Sequence, residues 1–471
     1  MADEMFRAPV NRSMRTLDRN SFRKVIPLHA ARVPENKNIS KVRSELERSK
    51  DALHQDRLGS VFPDPDRDRA KSGTKCVLLR PGRRKEATET GDNPHDGAEV
   101  TSPPLYSSVL DALLEQNIID LVPYSLYLDY SYWTYHDIIS AILPEDELGE
   151  VPSGFSQVGH VAHLNLRDEY LKYKHLVGEV LIDKNPGVRT VINKIDDVGE
   201  ENAFRTFRYE VLAGPDDLNV EISEEGCTFK FDYSKVYWNS RLNTEHRRLV
   251  STFKEGEAIC DVMAGIGPFA IPAGRKNIFV WANDLNPDSY TSLQDAIKRN
   301  KVTSYVQPFN EDGRSFIQDS AASLLTTTQT VDILSKPSRK DPKAGPTVLK
   351  TLTQPHLFSH YVMNLPASAL TFLPSFIGLY PPSLRAQLPA DAKMPIIHVY
   401  CFSTKSDDNV EEGRKICAEI SEYLGFEMKP GKIDEGGVDV FDVRDVAPKK
   451  RMFCASFRLP EEVAFRDVGR T

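Results

Sequence analysis

Apolar and polar positions between residues 258 and 287 follow the order strand, loop, helix, strand. The apolar run that ends at Asp261 leads into a Gly-x-Gly turn at Gly265 and Gly267, and a second apolar run ends at Asp284. Glycines let the backbone of such a turn approach a ligand, and an acid at the end of the second strand can accept both hydroxyls of a ribose. The pattern predicts a nucleoside site on a Rossmann-like α/β sheet.

This turn differs from the dinucleotide-binding pattern. The third glycine, which allows a helix to pack tightly beneath a diphosphate, is absent, and Pro268 and Phe269 fill the turn. S-adenosylmethionine has no phosphate, so its binding tolerates such a turn. Asp312 follows a third short strand, where an acid can bind the adenine amine, and residues 361–366 end a fourth. A purely structural glycine turn in another α/β protein stays open as the alternative.

The rest of the second half completes an α/β domain that we predict over residues 233–471. It contains a strand-like run at 395–401, a helical pattern around 416–424 and a closing pair of strands. We therefore expect a doubly wound, Rossmann-like sheet with an antiparallel finish. Residues 318–355, which are rich in Ser, Thr and Pro and contain a basic cluster, are predicted to form an inserted loop.

The first half of the chain predicts two further parts. Residues 105–232 combine helical and strand-like patterns, so we expect a small α+β domain there. Residues 1–104 are predicted to be a small N-terminal module, ending in a flexible linker from residue 81. The arginines along residues 7–24 are also typical of a mitochondrial presequence, although the acidic residues among them are not. A folded module is favoured, and targeting stays open.

Composition limits the classes of function. The chain has 471 residues, of which 40% are hydrophobic, enough for two or three domains with a sizeable core. Its net charge of −8 excludes a uniformly basic surface, so any contact with nucleic acid must come from local patches. No apolar run approaches the ~18 residues of a membrane helix. The six cysteines include no Cys-x-x-Cys pair, and we expect them to be buried, reduced thiols.

Candidate chemistry lies at the turn that begins with Asn364. Asn364-Leu-Pro366 is similar to the Asn/Asp-Pro-Pro-aromatic turn with which amino-methyltransferases hold a planar nitrogen substrate. Ala367 takes the place of the aromatic residue, so a ring nitrogen fits better than an exocyclic amine. No cysteine lies beside this turn, which disfavours a mechanism in which a thiolate first attacks a pyrimidine.

Together these motifs carry a family resemblance. The sequence resembles the eukaryotic, fungal-like tRNA (guanine-N1) methyltransferases that act on the guanosine at position 37, next to the anticodon. The similar motifs cover nearly the whole chain and lie at residues 12–22, 160–166, 204–214, 236–245, 261–269 and 363–366. The departures are the insertion at 318–355 and Trp238-Asn-Ser, where archaeal relatives commonly have Phe-Ser-Pro.

The resemblance implies roles for individual residues. It makes Glu245 the general base that removes the N1 proton of guanine, Arg205 the group that contacts the guanine, and Asn364 a ligand at the point of methyl transfer. It also implies that S-adenosylmethionine is bound by Tyr237, His246, Gly265, Gly267, Asp284, Leu285, Asp312, Gly313 and Asn364. No metal is required, because the sulfonium already activates its methyl group. On the residues alone, Arg205 could be a cross-strand charge partner and Glu245 a carboxylate at a helix start.

The resemblance further implies a tRNA with guanosine at position 37 as the partner, and it makes residues 1–104 a tRNA-binding module. We expect a monomer without a membrane partner, found in the cytoplasm, nucleus and mitochondrial matrix. Two alternatives stay open. One is an enzyme that transfers the aminocarboxypropyl group of S-adenosylmethionine to a wybutosine precursor in tRNA, which needs no guanine N1 base. The other is a non-catalytic tRNA-binding factor with a vestigial cofactor site.

Overall fold

A computed structural model describes most of the chain. The described residues are 2–81, 106–145, 151–195, 204, 206–335, 347–389 and 392–467. Packing divides the chain into two compact units. The first comprises Met1–Gly154 and Leu166–Pro186, and the second comprises Phe155–Asn165 and Gly187–Thr471.

The first unit contains an antiparallel sheet with helices packed against it. Its described strands are β1 (Lys24–Val33), β2 (Val61–Pro63), β3 (Lys75–Leu78) and β4 (Asp120–Leu128), and its described helices are α1 (Ala2–Met5), α2 (Ile39–Arg48), α3 (Arg67–Lys71), α4 (Ser108–Glu115), α5 (Tyr135–Ile142) and α6 (Lys174–Lys184). The strand order is β2-β3-β1-β4. Alternate residues of β1 are buried, as at Ile26, Leu28 and Ala30, while Leu46 of α2 and Leu110 of α4 share one apolar cluster with the sheet.

The predicted boundary between residues 104 and 105 falls inside this unit. β4, which belongs to the predicted small domain, pairs with β1 of the predicted N-terminal module, with Lys24 opposite Leu128 and Arg32 opposite Asp120. The polar stretch from residue 81 separates these strands along the chain, and for that reason the sequence suggested a domain boundary. From residue 82 to 105 this stretch lies outside the described residues.

The arginine-rich N-terminal segment packs within the first unit. Met14 and Phe22 are buried, and Nε1 of Trp133 donates a hydrogen bond to the backbone oxygen of Phe22 at 2.8 Å. The guanidinium of Arg12 donates to backbone oxygens at the end of α5. These contacts are those of a folded segment, as the favoured interpretation of the sequence expected.

The second unit is organised around a large mixed sheet. Its described strands are β5 (Ser156–Val158), β6 (Val161–Leu164), β7 (Thr190–Lys194), β8 (Tyr209–Ala213), β9 (Asn219–Glu224), β10 (Cys227–Asp232), β11 (Ala258–Asp261), β12 (Phe279–Asn283), β13 (Val306–Phe309), β14 (Thr330–Leu334), β15 (Val348–Thr353), β16 (His360–Met363), β17 (Ile396–Thr404), β18 (Asp439–Ala447) and β19 (Lys450–Arg458). Its described helices are α7 (Asn243–Val250), α8 (Ala270–Arg275), α9 (Pro287–Arg299), α10 (Gly313–Thr326), α11 (Pro382–Arg385), α12 (Val410–Leu424) and α13 (Glu461–Ala464).

The large sheet has the order β13-β12-β11-β16-β17-β19-β18 within the described residues. The first five strands are parallel, and β19 and β18 are antiparallel to their neighbours. Successive residues of β11 face different apolar clusters, because side chains alternate along a strand: Cys260 packs with residues of α10 and α12, and Ile259 with residues of α8 and α9. The predicted α/β fold class with an antiparallel finish is confirmed.

A smaller sheet and a hairpin precede the large sheet in the second unit. Among the described residues, β5, β6, β7 and β8 form a mixed sheet and β9 pairs with β10. Phe229 of β10 belongs to the same cluster as Phe269 beside the glycine turn. Asn300 holds the hairpin to α9, since its amide exchanges two hydrogen bonds of 2.8 Å with the backbone of Thr228. The predicted boundary between residues 232 and 233 therefore lies within one packed core.

The segment 318–355 is an inserted loop only in part. Residues 318–326 are the second half of α10, where Ala321 and Leu324 are buried four and seven positions after the buried Ile317. β14 and β15 form an antiparallel hairpin. Serines and threonines between the apolar positions concealed this helical spacing. Residues 336–346, which include the whole basic cluster from Lys336 to Lys343, lie outside the described part.

All six cysteines are buried and none forms a disulfide. This is the arrangement that the sequence predicted for them. Within the described residues, no helix is both long and apolar enough to cross a membrane.

Gly267 is a position where packing of the turn can be tested. Its φ is +96°, and an added Cβ would lie 2.7 Å from Cδ1 of Leu293 and 2.8 Å from Cγ1 of Ile271. We expect Gly267→Ala to lower the free energy of unfolding by about 2–4 kcal/mol, because backbone strain and steric overlap add. Urea unfolding measures this.

The matched control is Gly413→Ala in α12, where a Cβ meets nothing within 4 Å. The free energy of unfolding of this variant should rise by about 0.5–1 kcal/mol, since alanine is favoured over glycine inside a helix. Equal effects of the two substitutions would contradict the packing argument.

Candidate active site

The candidate site lies at the carboxyl ends of β11 and β16. These strands are neighbours in the sheet although they are far apart in the chain, and the strand order reverses between them. Ligands of open α/β sheets bind at such a switch point. A cavity of about 230 Å³ is found there, lined by the segments after β11, β12 and β16 and by the start of α10.

The cavity brings together most of the predicted site residues. Those that line it are Tyr237, His246, Gly265, Asp284, Leu285, Asp312, Gly313 and Asn364. Gly267 does not line it and instead packs against Leu293 and Ile271, so its role is to let the turn fit over the neighbouring helices. Glu245 is also absent from the lining, and Arg205 lies outside the described residues.

Asp284 is held by backbone donors at the end of β12. Its Oδ2 accepts a hydrogen bond from the backbone N–H of Gly265 at 2.8 Å, and its Oδ1 accepts one from that of Asn286 at 2.9 Å. Burial raises the pKa of Asp284, and the two N–H groups oppose that shift. Each carboxylate oxygen keeps a lone pair that can accept from a ligand hydroxyl.

Asn283 connects three loops beneath the cavity. Its amide nitrogen donates to the backbone oxygens of Val262 at 3.1 Å and Glu311 at 3.0 Å, and its amide oxygen accepts from the N–H of Glu311 at 2.9 Å. Asn283 is fully buried. The ends of β11, β12 and β13 are therefore joined by one side chain.

The start of α10 forms another wall. Asp312 caps the helix, because its Oδ1 accepts from the backbone N–H of Arg314 at 2.8 Å. Gly313 allows close packing, since an added Cβ would lie 3.1 Å from both Phe372 and Val262. The guanidinium of Arg314 lies 3.9 Å from the centre of the Phe372 ring.

His246 and Asn364 occupy other parts of the wall. Nδ1 of His246 lies 2.6 Å from Oε1 of Glu224, and its ring packs edge to face on Phe269 with a centroid distance of 4.8 Å. Asn364 follows β16, and its Oδ1 is buried with no hydrogen-bond partner among the described residues. That oxygen is an acceptor available to a ligand.

Glu245 is engaged within the protein. Its Oε2 accepts from Nε of Arg248 at 2.6 Å, and its Oε1 accepts from Nη2 of Arg248 and from the hydroxyl of Tyr400, each at 2.6 Å. The side chain is buried on α7. In the structure, the predicted base is therefore paired with the charge of Arg248 and hydrogen-bonded by Tyr400.

Asp261 is a buried carboxylate beside the cavity that the sequence analysis did not assign to the site. Neither of its oxygens has a hydrogen-bond partner among the described residues. Burial raises the pKa of Asp261 well above its ordinary value, and the nearby charge of Asp284 adds to the rise. In the described residues, no group of three or more side chains of metal-binding type is placed to hold a metal ion.

Comparison with known proteins identifies the family. Residues 135–217 match the family described as the TYW2 N-terminal domain, and residues 220–331 match the TRM5/TYW2 methyltransferase domain. A protein of Fusarium vanettenii named tRNA (guanine(37)-N(1))-methyltransferase is 50% identical over 467 residues, which cover 98% of this chain and 97% of that protein. A protein of the same name from Aspergillus fumigatus is 51% identical, covering 99% and 96% of the two chains. The chain belongs to the tRNA (guanine(37)-N(1))-methyltransferase family.

A solved structure agrees on the fold. The crystal structure of Trm5b from Pyrococcus abyssi aligns with 92% of this chain and 99% of its own, with a TM-score of 0.53 and 21% sequence identity. The match to the methyltransferase domain extends from residue 220 to 331 and so includes the cavity wall from Tyr237 to Arg314. Most of the cavity lining therefore lies in the segment that matches the methyltransferase domain of this family, whereas Phe204, Asn364, Leu365 and Phe372 lie outside the matched range.

Several wall residues were missed by the sequence analysis. Examples are Phe204, Trp238, Met263, Asn286, Leu365 and Phe372. Met263 lies inside the glycine turn and Leu365 beside Asn364, so their adjacency to recognised motifs could have found them. Phe372 lies in a 3-10 segment, Ala369–Phe376, whose apolar pattern is that of ordinary core, and only folding brings it to Gly313.

The Asp261 carboxyl predicts a pH-dependent stability. A carboxyl whose folded pKa is raised stabilises the fold below its unfolded pKa, and this contribution is lost as pH rises through the folded pKa. Asp261→Asn keeps the shape and removes the charge, so we expect its unfolding temperature to exceed that of the wild type increasingly as pH rises from 5 to about 8.5.

Unfolding scans of both proteins over this range measure the difference. The control is Asp319→Asn, because Asp319 lies on α10 outside the cavity wall. A difference between Asp261→Asn and wild type that stays constant with pH would show that the carboxyl does not titrate as proposed.

Proposed function

We propose that this protein transfers the methyl group of S-adenosylmethionine to N1 of the guanosine at position 37 of tRNA. The observation that carries the proposal is the 50% identity, over almost the full chain, with a relative named for this activity. The cavity at the switch point of the sheet supports it, since it lies where the fold binds nucleoside ligands.

The residues of the cavity fit S-adenosylmethionine. Asp284 offers two oxygens, each with a spare lone pair, to the ribose hydroxyls. Asp261 lies next to Val262 of the lining and has no hydrogen-bond partner among the described residues. The charged form of this buried carboxyl favours a nearby ligand that carries positive charge. When bound, the cofactor supplies a methyl group already activated by its sulfonium, so the protein residues need only position the substrate and remove a proton.

The substrate nitrogen requires a base. N1 of neutral guanine carries a proton, and its lone pair becomes nucleophilic only as that proton leaves. A positioned carboxylate contributes about 10²–10⁴ in rate to such a step. The negative charge that develops on O6 is stabilised by a nearby donor, typically by about 10²–10³, and Arg205 is the proposed donor. The buried oxygen of Asn364 can accept a hydrogen bond from the guanine or the cofactor.

Glu245 is the proposed base, and its contacts restrict how it can act. Oε1 already accepts from Arg248 and Tyr400, whereas Oε2 accepts only from Nε of Arg248. A carboxylate oxygen has two lone pairs, so Oε2 keeps one that can take a proton. We therefore place the proton on Oε2, with Arg248 and Tyr400 fixing the carboxylate.

Methyl transfer to two tRNA transcripts tests the function. One transcript has guanosine at position 37 and the other has adenosine there, and nucleoside mass spectrometry identifies the product. We expect 1-methylguanosine from the first transcript and no methylation of the second. An aminocarboxypropyl product, or no product together with intact tRNA binding, would support one of the two alternative functions instead.

The base is tested by Glu245→Gln, which keeps the volume but cannot accept a proton. We expect turnover at neutral pH to fall by about 10²–10⁴ with little change in binding of tRNA or cofactor. The loss should shrink as pH approaches the ionisation of guanine N1, because the substrate then needs less help. Single-turnover rates over a pH series measure both effects.

Tyr400→Phe is the control for packing around the base. It removes one hydrogen bond from Oε1 but leaves the carboxylate in place, so we expect a loss of less than about tenfold. If the single-turnover rate of Glu245→Gln falls by the same factor at every pH, or if the variant loses only affinity for the cofactor, Glu245 is a structural carboxylate and the base lies elsewhere.

A further inference from the structure

A second cavity in the same unit adjoins the first. It has a volume of about 270 Å³, and Tyr237, Trp238 and Asn239 line both cavities. The second cavity is basic: Lys194, Arg241 and Arg444 line it, and no Asp or Glu does so among the described residues. We call it the basic cavity.

The three cations make no ion pairs with carboxylates within the described part of the chain. The ammonium of Lys194 instead lies 4.1 Å from the centre of the Phe207 ring. Nε of Arg444 donates to the backbone oxygen of Asp445 at 3.1 Å, while the Asp445 carboxylate is bound by Arg451.

Burial and mutual repulsion destabilise the positive charges that line the basic cavity. Burial lowers the pKa of Lys194. Burial also lowers the pKa of Arg444, and the charge of Arg241 adds to that effect. An anion bound among these groups would offset part of that cost.

The neutral groups of the basic cavity also suit an anion. Tyr233 donates a hydrogen bond to Nδ1 of His163 or accepts one from it, at 2.9 Å. Burial lowers the pKa of His163 to about 4, so the ring is neutral at physiological pH and adds no fourth charge. Side-chain amide and hydroxyl donors are present at Asn239 and Ser240.

We infer that the basic cavity binds a phosphate of the tRNA backbone beside the target guanosine. The inference rests on the proposed function. A base extruded from its stack into the first cavity brings its flanking phosphates to the rim, and Tyr237, Trp238 and Asn239 form the shared wall between the two cavities. Guanidinium and ammonium groups bind phosphate with charge-assisted hydrogen bonds. A nucleobase would instead need acceptors for its amino or imino groups, and carboxylates are absent from the described lining.

Neutral linkages in the tRNA test this inference. We would assemble tRNAs that each carry one methylphosphonate, which removes a single backbone charge, at one of the linkages within two nucleotides of position 37. Binding is measured for the wild type and for Arg241→Gln, Lys194→Gln and Arg444→Gln. The matched controls are Arg414→Gln and Lys298→Gln, at exposed positions on α12 and α9 that do not line either cavity.

We expect one linkage at which the wild type loses about tenfold in affinity for tRNA, as a charge-assisted contact is removed. Arg241→Gln should bind unmodified tRNA about tenfold more weakly than the wild type does. Neutralising that same linkage should not weaken the binding of Arg241→Gln further, because the two changes remove one contact. The control variants should respond to the neutral linkage as the wild type does.

The inference would be overturned if, at every linkage, the loss of affinity caused by the neutral linkage added to the loss caused by the substitution. The cations would then act on no defined phosphate. Cofactor affinity and unfolding temperature, measured on the same variants, show that the fold is intact, and Arg241→Lys should recover part of the affinity. Formation of 1-methylguanosine by the wild type is scored separately. If 1-methylguanosine forms but the losses of affinity from neutral linkages and substitutions simply add, only the basic cavity is misassigned. If 1-methylguanosine does not form, the proposed function itself fails.

Discussion

The hydrogen bonds of Asn283 and Asp284 hold the active-site wall together. A parallel sheet ends in loops whose backbone groups lose their ladder partners, and those groups need partners elsewhere. Asn283 satisfies the backbone after β11 and before α10, and Asp284 binds the backbone of the glycine turn through Gly265. Two adjacent side chains at the end of β12 therefore fix three loops. Asp284 is placed for a ligand because the same bonds that close the loops orient its carboxylate.

The two buried carboxylates near the site, Glu245 and Asp261, differ in their hydrogen-bond partners. Glu245 accepts three hydrogen bonds from Arg248 and Tyr400, so its negative charge is compensated inside the protein. Asp261 accepts none from the described residues, and burial raises its pKa. An uncompensated carboxylate costs stability, and its position at the end of β11 beside the cavity is consistent with the expectation that such costs concentrate at functional sites.

The sequence predicted the parts of the site that neighbouring residues determine. The strand, turn and acid around Gly265 and Asp284 follow from spacing along one segment, and the α/β fold follows from alternating patterns of burial. The sequence did not predict that β4 would pair with β1, or that the β9–β10 hairpin would join the large core, because partners of a strand far along the chain leave no local signal. Phe372 was missed for the same reason, and the helix at residues 318–326 because its polar positions resemble a loop.

The distribution of charge explains how an acidic chain can accommodate a polyanion. A net charge of −8 repels nucleic acid at a distance, and this repulsion is screened beyond about 8 Å at physiological ionic strength. Within that distance, the charges of Lys194, Arg241 and Arg444 act on a ligand in the basic cavity, whose described lining contains no carboxylate. Among the described residues, the basic cavity is therefore a place where phosphate would be attracted despite the negative net charge. If the tRNA backbone enters this cavity as we infer, the local attraction favours one register of the anticodon loop over sliding along it.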